Sequence, residues 1–456
     1  GLWSPAVEKG AAGAIGEPEH SGRSRRLASR FGGSLIGHHD FRLLWGGESI
    51  SELGSQVSLL AIPLVAVRSL HATTFQVGAL TAASTAAFLL VGLPAGAWVD
   101  RRRRRQIMIA ADIGRMLALG SIPLTYGLGA LGLTQLYVVT LVAGVLTVFF
   151  DVSYQSYLPS LVGVDNLVQG NAKLTGTAQI AQVAGPSLAG GLVQAIGGSY
   201  AVAVDAFSFL VSAGAVGSIR TTEPAPEIPK AGHQRLHRDI AEGLRFVFGH
   251  PLLRAIAATT ATSNLFTAMM SAVEIVFLVR VVDAPPGIIG LLFAAGSVGG
   301  VLAALAASPF ARRVGGARAT RLGILCSGGG LLIPLTTKGA GLILFAAGFF
   351  FYAFGGVLYN VNQVSFRQRL CPERLLGRMN ATMRFVVWGV LPIGGLIGGA
   401  IGTAIGLRPT LWLATAGASL AGGWLFVSPM RTMRDFPQGP PRRGIEAAGT
   451  GEPLSR

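Results

Sequence analysis

The chain has 456 residues, of which 51 % are hydrophobic and 13 % charged, with a formal net charge of +16 and a mean hydropathy of +0.55. Soluble domains carry about a quarter charged residues, so this composition excludes a soluble protein of two or three domains and points to a polytopic membrane protein. The basic excess would suggest a nucleic-acid partner in a soluble chain, but here it gathers in loops and tails, and no nucleic-acid partner is expected.

Residues 1–40 are polar, Gly-rich and basic at Arg23, Arg25, Arg26 and Arg30, and read as a disordered cytoplasmic tail with no visible signal peptide. A membrane span needs roughly 20 mostly apolar residues. The first half, 41–219, contains spans at 42–67, 75–98, 106–126, 134–157, 168–196 and 200–219. Residues 220–252 form a cytoplasmic linker. It begins with the Pro-rich "TTEPAPEIPK" and continues as "LHRDIAEGLRFVF", an amphipathic helix with Leu236, Ile240, Leu244 and Val247 on one face. The second half, 253–430, contains spans at 253–279, 287–309, 319–337, 341–365, 379–405 and 409–428, and 431–456 is a second disordered tail. The expected fold class is therefore an all-α membrane protein of twelve transmembrane helices in two pseudo-symmetric six-helix halves.

Alternate loops differ in charge. One set holds Arg101–Arg105, the basic linker, Arg312, Arg313, Arg318 and Arg321, then Arg367, Arg369, Arg374 and Arg378; the other holds only Arg68, Arg280, Lys338 and Arg408. Lys and Arg collect in cytoplasmic loops. Both termini are thus expected in the cytoplasm of a plasma-membrane protein, as an even span count requires. Two six-span repeats are a transporter architecture with its site between the halves.

Charged side chains inside a span cost about 2.5–3.5 kcal/mol each on insertion scales, so those present point to mechanism. Glu52 lies near mid-bilayer with Glu48 one turn below it on the same face. Asp112, Arg115 and Asp151 read as an inner ion-pair network, structural or gating. Asp205 and Glu274 lie in the outer parts of their spans. All seven histidines fall outside the spans, so a proton relay must use carboxylates: Glu52 first, then Glu48, with Asp151 and Asp205 as further candidates. The alternative for Glu52 is a structural carboxylate bonded to Ser or Gln. Gln56, Gln179, Gln182, Asn264, Phe351, Tyr352 and Phe354 lie at similar depth, and a few polar groups among aromatics suit an amphipathic organic substrate. None of the four lysines precedes Ser or Thr, so there is no P-loop. HExxH and clustered Cys/His are also absent, so no cofactor, no metal site and no enzyme activity are expected.

Three stretches carry a resemblance: "GAWVDRRRRR" after span 2, "GTAQIAQVAGPSLAGG" in span 5, and "FRQRLCPERLLGRMNATMRFVVWGVLPIGG" before and within span 11. The chain resembles the major facilitator superfamily, in the branch containing enterobactin exporters and macrolide efflux proteins. Gly96, Asp100, Arg101, Arg104 and Arg105 match the superfamily's loop 2–3 signature, with Arg103 in place of its glycine. The resemblance implies that this loop packs on the start of span 11, where Arg378 and Arg384 would pair with Asp100 as a gate latch. Gly176, Gly185, Pro186, Gly190 and Gly191 resemble the exporters' span 5 motif, with Ala181 replacing a glycine. They are either a packing kink or a seal that favours antiport.

The expected function is secondary active export of a small organic compound, drug-like, antibiotic or siderophore, by proton antiport and alternating access. The partners expected are that substrate, protons and membrane lipids, with the chain working as a monomer. Uptake or lipid flipping is the alternative within transport, and a non-transporting membrane scaffold or receptor-like protein the alternative from another class.

Overall fold

A computed structural model describes residues 35–99, 101–163, 166–221, 223, 236–372 and 375–436. Most of the two tails, the Pro-rich part of the linker and Asp100 lie outside these residues. The first half comprises α1 (His39–Arg68), α2 (Thr74–Val99), α3 (Arg104–Gly127), α4 (Leu133–Val162), α5 (Leu167–Ile196) and α6 (Gly198–Gly217). The linker helix α7 (Leu236–Gly249) leads to α8 (Pro251–Arg280), α9 (Pro286–Val314), α10 (Gly316–Cys326), α11 (Leu342–Leu370), α12 (Leu376–Trp388), α13 (Leu391–Ile405), α14 (Leu407–Leu420) and α15 (Gly423–Val427). In hydrocarbon a segment must satisfy its own backbone, and the helix does so within one run of chain. At 30 residues, α1 reaches about 45 Å, ample for a hydrocarbon core of roughly 30 Å.

Among the described residues, ten helical segments are long and apolar enough to cross a membrane. The expected spans 168–196 and 319–337 are helical but fall short of that standard. In α5 the polar residues Gln169, Asn171, Lys173, Gln179 and Gln182 dilute the apolar run. The other segment leaves the α conformation after Cys326 and continues as a 3-10 helix over Ser327–Leu335. Gly328, Gly329 and Gly330 there favour no helix strongly, and Pro334 removes a donor. Span 11 is likewise two helices, divided at Gly389 and Val390 ahead of Pro392. Folded chain extends past the expected limits at both ends. Asp40 is already in α1, where its carboxylate accepts from the backbone N–H of Arg220 and Thr221 at 3.2 and 2.8 Å. At the other end Phe436 stacks on Phe366 at 4.0 Å.

Helix pairing repeats between the halves. α1 packs on α5 and α6, as α8 packs on α13 and α14; α2 packs on α4, as α9 packs on α11. Between halves, α2 crosses α13 and α5 crosses α9. The two tight turns into α6 and α14 also match: Gly197 and Gly406 have φ of 84° and 94°, a conformation that glycine adopts without strain.

The hydrophobic core is continuous at one end only. At the arginine-poor end a single cluster joins Leu60–Val67, Val77 and Val193 of the first half to Met269–Leu278, Ile289 and Phe345 of the second. At the arginine-rich end the core is split. Phe41, Met108, Phe150 and Tyr157 form one cluster in the first half, and Val247, Leu253, Tyr359 and Phe366 form another in the second.

Candidate functional site

The acidic side of the site is built by α1, α3 and α4. Glu48 and Glu52 share one face of α1. The Gln56 amide, one turn further, donates to Glu52 at 3.1 Å. Gly185 of α5 makes room for Gln56: a Cβ there would stand 2.4 Å from that of Gln56. Glu48 keeps one buried carboxylate oxygen without a hydrogen-bond partner and lies within electrostatic range of Arg115, Asp151, Glu52 and Asp112. Asp151 is exposed and lies within range of Glu52, of Arg115 and, across the gap between halves, of Arg384.

The expected network of Asp112, Arg115 and Asp151 is closed only in part. Arg115 donates directly to Asp112, which is fully buried. The guanidinium is held between Phe150 and Phe209, 4.5 and 4.1 Å from the ring centroids. Asp151 makes no hydrogen bond with either and contributes through its field alone. Asp205 sits apart, buried between α1 and α6, where Ser208 donates to it at 3.2 Å. Gly54 admits it: a Cβ at Gly54 would meet Ser208 Oγ at 2.3 Å and Asp205 Oδ1 at 2.7 Å. Asp205 and Ser208 thus fill the space that Gly54 leaves on α1, which is a structural task. Glu274 is buried in α8, with one carboxylate oxygen lacking a hydrogen-bond partner among the described residues.

The second half holds a cavity of about 550 Å³ between α8, α11 and α12, on the arginine-rich side of the common core. Asn264 and Tyr352, two of the cavity candidates read from the sequence, line it; so do Tyr359, Gln363, Arg367 and Arg384, which sequence reasoning did not place there. Tyr352 is fixed by Thr267 and Tyr359 by Thr260, the latter at 2.7 Å. A smaller cavity of about 280 Å³ between α2 and α12 shares Arg384 and Trp388 with it. Phe351 and Phe354 do not line the cavity. Phe351 is 44 % exposed and lies against Gly329, and Phe354 packs with Ala303 and Leu358 between α9 and α11. Gln179 and Gln182 are exposed on α5, outside the described cavities.

Asp100 is outside the described residues, so the latch cannot be placed. Its expected partners are engaged elsewhere. Arg378 pairs with Glu242 of the linker helix, and Arg384 stacks between Phe88 of α2 and Trp388 of α12 at 4.9 and 5.2 Å. The loop arginines fasten the first half to itself. Glu223 accepts from the backbone N–H of Arg104 and Arg105 at 2.9 and 3.3 Å, capping the start of α3. Arg105 Nε donates to the Val216 carbonyl at 3.0 Å. Arg101 is exposed, and a Cβ at Gly96 would meet nothing within 4 Å. On α7, Val247 is fully buried in the second half's core while Leu244 is exposed; the side chains of Leu236 and Ile240 are outside the described set.

Two crossings of bare backbone join the halves at the arginine-poor end. On α5 and α9, a Cβ at Gly190 would meet Pro286 O at 2.5 Å, and one at Gly290 would meet Pro186 O at 2.3 Å. On α2 and α13, a Cβ at Gly78 would meet Gly395 O at 2.6 Å, and one at Gly399 would stand 3.1 Å from Gly78 Cα. Within the span 5 motif, Gly185, Pro186 and Gly190 are thus at contacts, while Gly176 and Gly191 face open space.

A family model described as transmembrane secretion effector matches residues 34–442. The chain belongs to that family. It is an integral membrane transporter of the major facilitator fold, not an enzyme. This family member is 25 % identical over 366 residues to the multidrug efflux pump Tap of Mycolicibacterium fortuitum, covering 78 % of this chain and 88 % of that one. It is 27 % identical over 435 residues to the enterobactin exporter EntS of Escherichia coli O6:K15:H31, covering 91 % and 96 %. The fold is similar to that of a bacterial homologue of the iron transporter ferroportin in its inward-facing state, with TM-score 0.70, 18 % identity and coverage of 86 % and 99 %. It is also similar to the nucleoside transporter NupG, with TM-score 0.69, 12 % identity and coverage of 86 % and 99 %.

The basic residues of the cavity had a signal in the sequence of this family member. The polar run after Gly356 reads as a loop beginning near Arg367, but no Gly or Pro occurs between Gly356 and Pro372. α11 therefore carries Gln363 and Arg367 inside the bundle.

Proposed function

We propose that the chain exports a small organic compound across the plasma membrane by alternating access, driven by proton antiport. The observation that carries this reading is the unequal joining of the halves. They share one core at the arginine-poor end and have separate cores around a cavity towards the other end. Rocking about that arrangement would close the cavity on one side and open it on the other. Similarity to an enterobactin exporter and a multidrug efflux pump supports export of a siderophore-like or drug-like compound. The basic loops support a cytoplasmic placement of the arginine-rich end and of both termini. The chain works as a twelve-span monomer in contact with membrane lipids.

Glu52 is the principal proton site. Its only hydrogen bond among the described residues comes from Gln56, which Gly185 holds against α5, so its charge can be felt where the halves move. Glu48 and Asp151 act with it through their fields, and Asp205 stands behind them as a support for α1. In the opposite state Asp100 closes the arginine-rich end against Arg378 and Arg384. Everted vesicles carrying the chain should accumulate a compound from a siderophore and drug panel when a pH gradient is imposed. Accumulation that survives collapse of the gradient would sink antiport, and accumulation of no compound would sink export.

A further inference from the structure

The two halves carry opposite charge near the cavity. Asp151 of the first half lies within electrostatic range of Arg384, and Glu52 and Glu48 lie within range of Asp151. The second half's cavity is lined by Arg367 and Arg384, and no carboxylate is among the described residues that line it. Neither guanidinium has an acidic partner within salt-bridge distance among the described residues. Arg384 feels Asp151 only through space. A cation in such surroundings is expensive unless paired.

The remaining groups are also under-used. Arg367 Nε is buried with no hydrogen-bond acceptor. Gln363, only 2 % exposed, spends its amide nitrogen on Asn360 at 2.9 Å and leaves its carbonyl oxygen with no donor. Trp388 offers a half-open ring, 41 % exposed, beside Arg384. An unpaired cation, a free acceptor and a flat aromatic face thus converge on one cavity of ligand size.

We propose that this cavity is a binding site for an organic anion, a carboxylate or phenolate on a flat apolar body that also bears a hydroxyl. Arg367 takes the anionic group in a charge-assisted contact. Arg384, braced by Phe88 and Trp388, stacks on the body and adds charge. Gln363 accepts from the hydroxyl. The acids of the first half repel the same ligand when ionised, so protonating them favours its retention. This inference rests on the transport reading above and deepens it by naming the substrate class.

The test uses the full chain in lipid nanodiscs and three probes of one shape: 6-hydroxy-2-naphthoate, its carboxamide and the corresponding naphthylmethylammonium, titrated calorimetrically. The carboxylate should bind at least tenfold more tightly than the carboxamide. Arg367→Gln should lose at least tenfold in carboxylate affinity and only a few-fold in carboxamide affinity, erasing the preference, with an unaltered thermal-unfolding midpoint to certify the fold; Arg367→Lys should keep part of the preference. Arg384→Gln should weaken both neutral and anionic probes, the anion more. Equal binding of carboxylate and carboxamide, tightest binding of the ammonium probe, no measurable carboxylate binding, or equal loss of both probes in Arg367→Gln would each overturn the site. Transport is read separately in everted vesicles. Gradient-driven efflux of neutral or cationic compounds alone leaves export standing without this site, and anion binding without efflux leaves the site standing without export.

Discussion

Arg68 and Arg280 make one contact twice. Arg68, at the end of α1, donates to the Ala284 carbonyl in the other half at 3.1 Å, and Arg280, at the end of α8, donates to the Ala72 carbonyl at 2.6 Å. The receiving loops are folded alike. His71 and Asp283 both adopt left-handed φ, 53° and 58°, and Ala72 and Ala284 N–H groups bond back to Ala66 and Leu278 at 2.8 and 2.9 Å. Four of the few basic residues at this end are Arg68, Arg280, Lys338 and Arg408, and two of them clasp the halves together.

Each clasp bond is partly exposed and is worth about 1 kcal/mol. The variant Arg68→Ala/Arg280→Ala should therefore shift the closed–open balance at the arginine-poor end by roughly thirtyfold. A cysteine at Thr81, introduced with Cys326 and Cys371 replaced by Ser, should be labelled correspondingly faster by an impermeant thiol reagent. Unchanged labelling would show that the clasp does not hold this end shut.

The glycine crossings should be less forgiving. A methyl group at Gly290 would lie against the Pro186 carbonyl, and one at Gly78 against that of Gly395, both backbone atoms that cannot turn aside. Overpacking of this kind costs about 1–3 kcal/mol. Gly290→Ala and Gly78→Ala should each raise labelling at position 81 and lower transport several-fold at normal membrane abundance, whereas Gly191→Ala, which meets nothing within 4 Å, should do neither.

Glu52→Gln fixes a neutral side chain at the proposed proton site. Gradient-driven efflux should be abolished while exchange of substrate across the membrane without a gradient survives. Glu48→Gln should be milder. Retention of uphill, gradient-driven efflux in Glu52→Gln would transfer the role to Asp151 or Asp205.

The Asp112–Arg115 pair predicts a contrast in stability. Removing one buried partner strands the other charge, at a cost of about 3–5 kcal/mol, whereas replacing both with apolar groups is often neutral. Asp112→Leu should lower the midpoint of thermal unfolding in detergent well below that of the native chain, and Asp112→Leu/Arg115→Leu should recover most of the loss. Equal destabilisation by both would mean that the pair is not what holds α3.

Orientation is open to direct measurement. In the same cysteine-free background, Ala130→Cys should react with an impermeant reagent in intact cells and Arg313→Cys only after permeabilisation. The reverse result would invert the assignment of both termini.

Hydropathy and charge are local properties, so the sequence alone determined the membrane class, most of the helices, the alternation of basic loops and the two-fold repeat. It also ordered residues along each helix at about 1.5 Å apart, and of the polar candidates read that way Asn264 and Tyr352 line the cavity. What it could not determine was which way a side chain faces. In lipid the outer and inner surfaces of a helix are both apolar, so the periodic contrast that marks the buried face of a soluble helix is lost. Phe351 and Tyr352 are neighbours in sequence, yet about 100° of helix rotation puts one against Gly329 and the other in the cavity. Only the tertiary structure decided that difference. It also brought Gln363, Arg367 and Arg384 together from separate helices, because their convergence is a property of how α11 and α12 pack and of nothing within either segment.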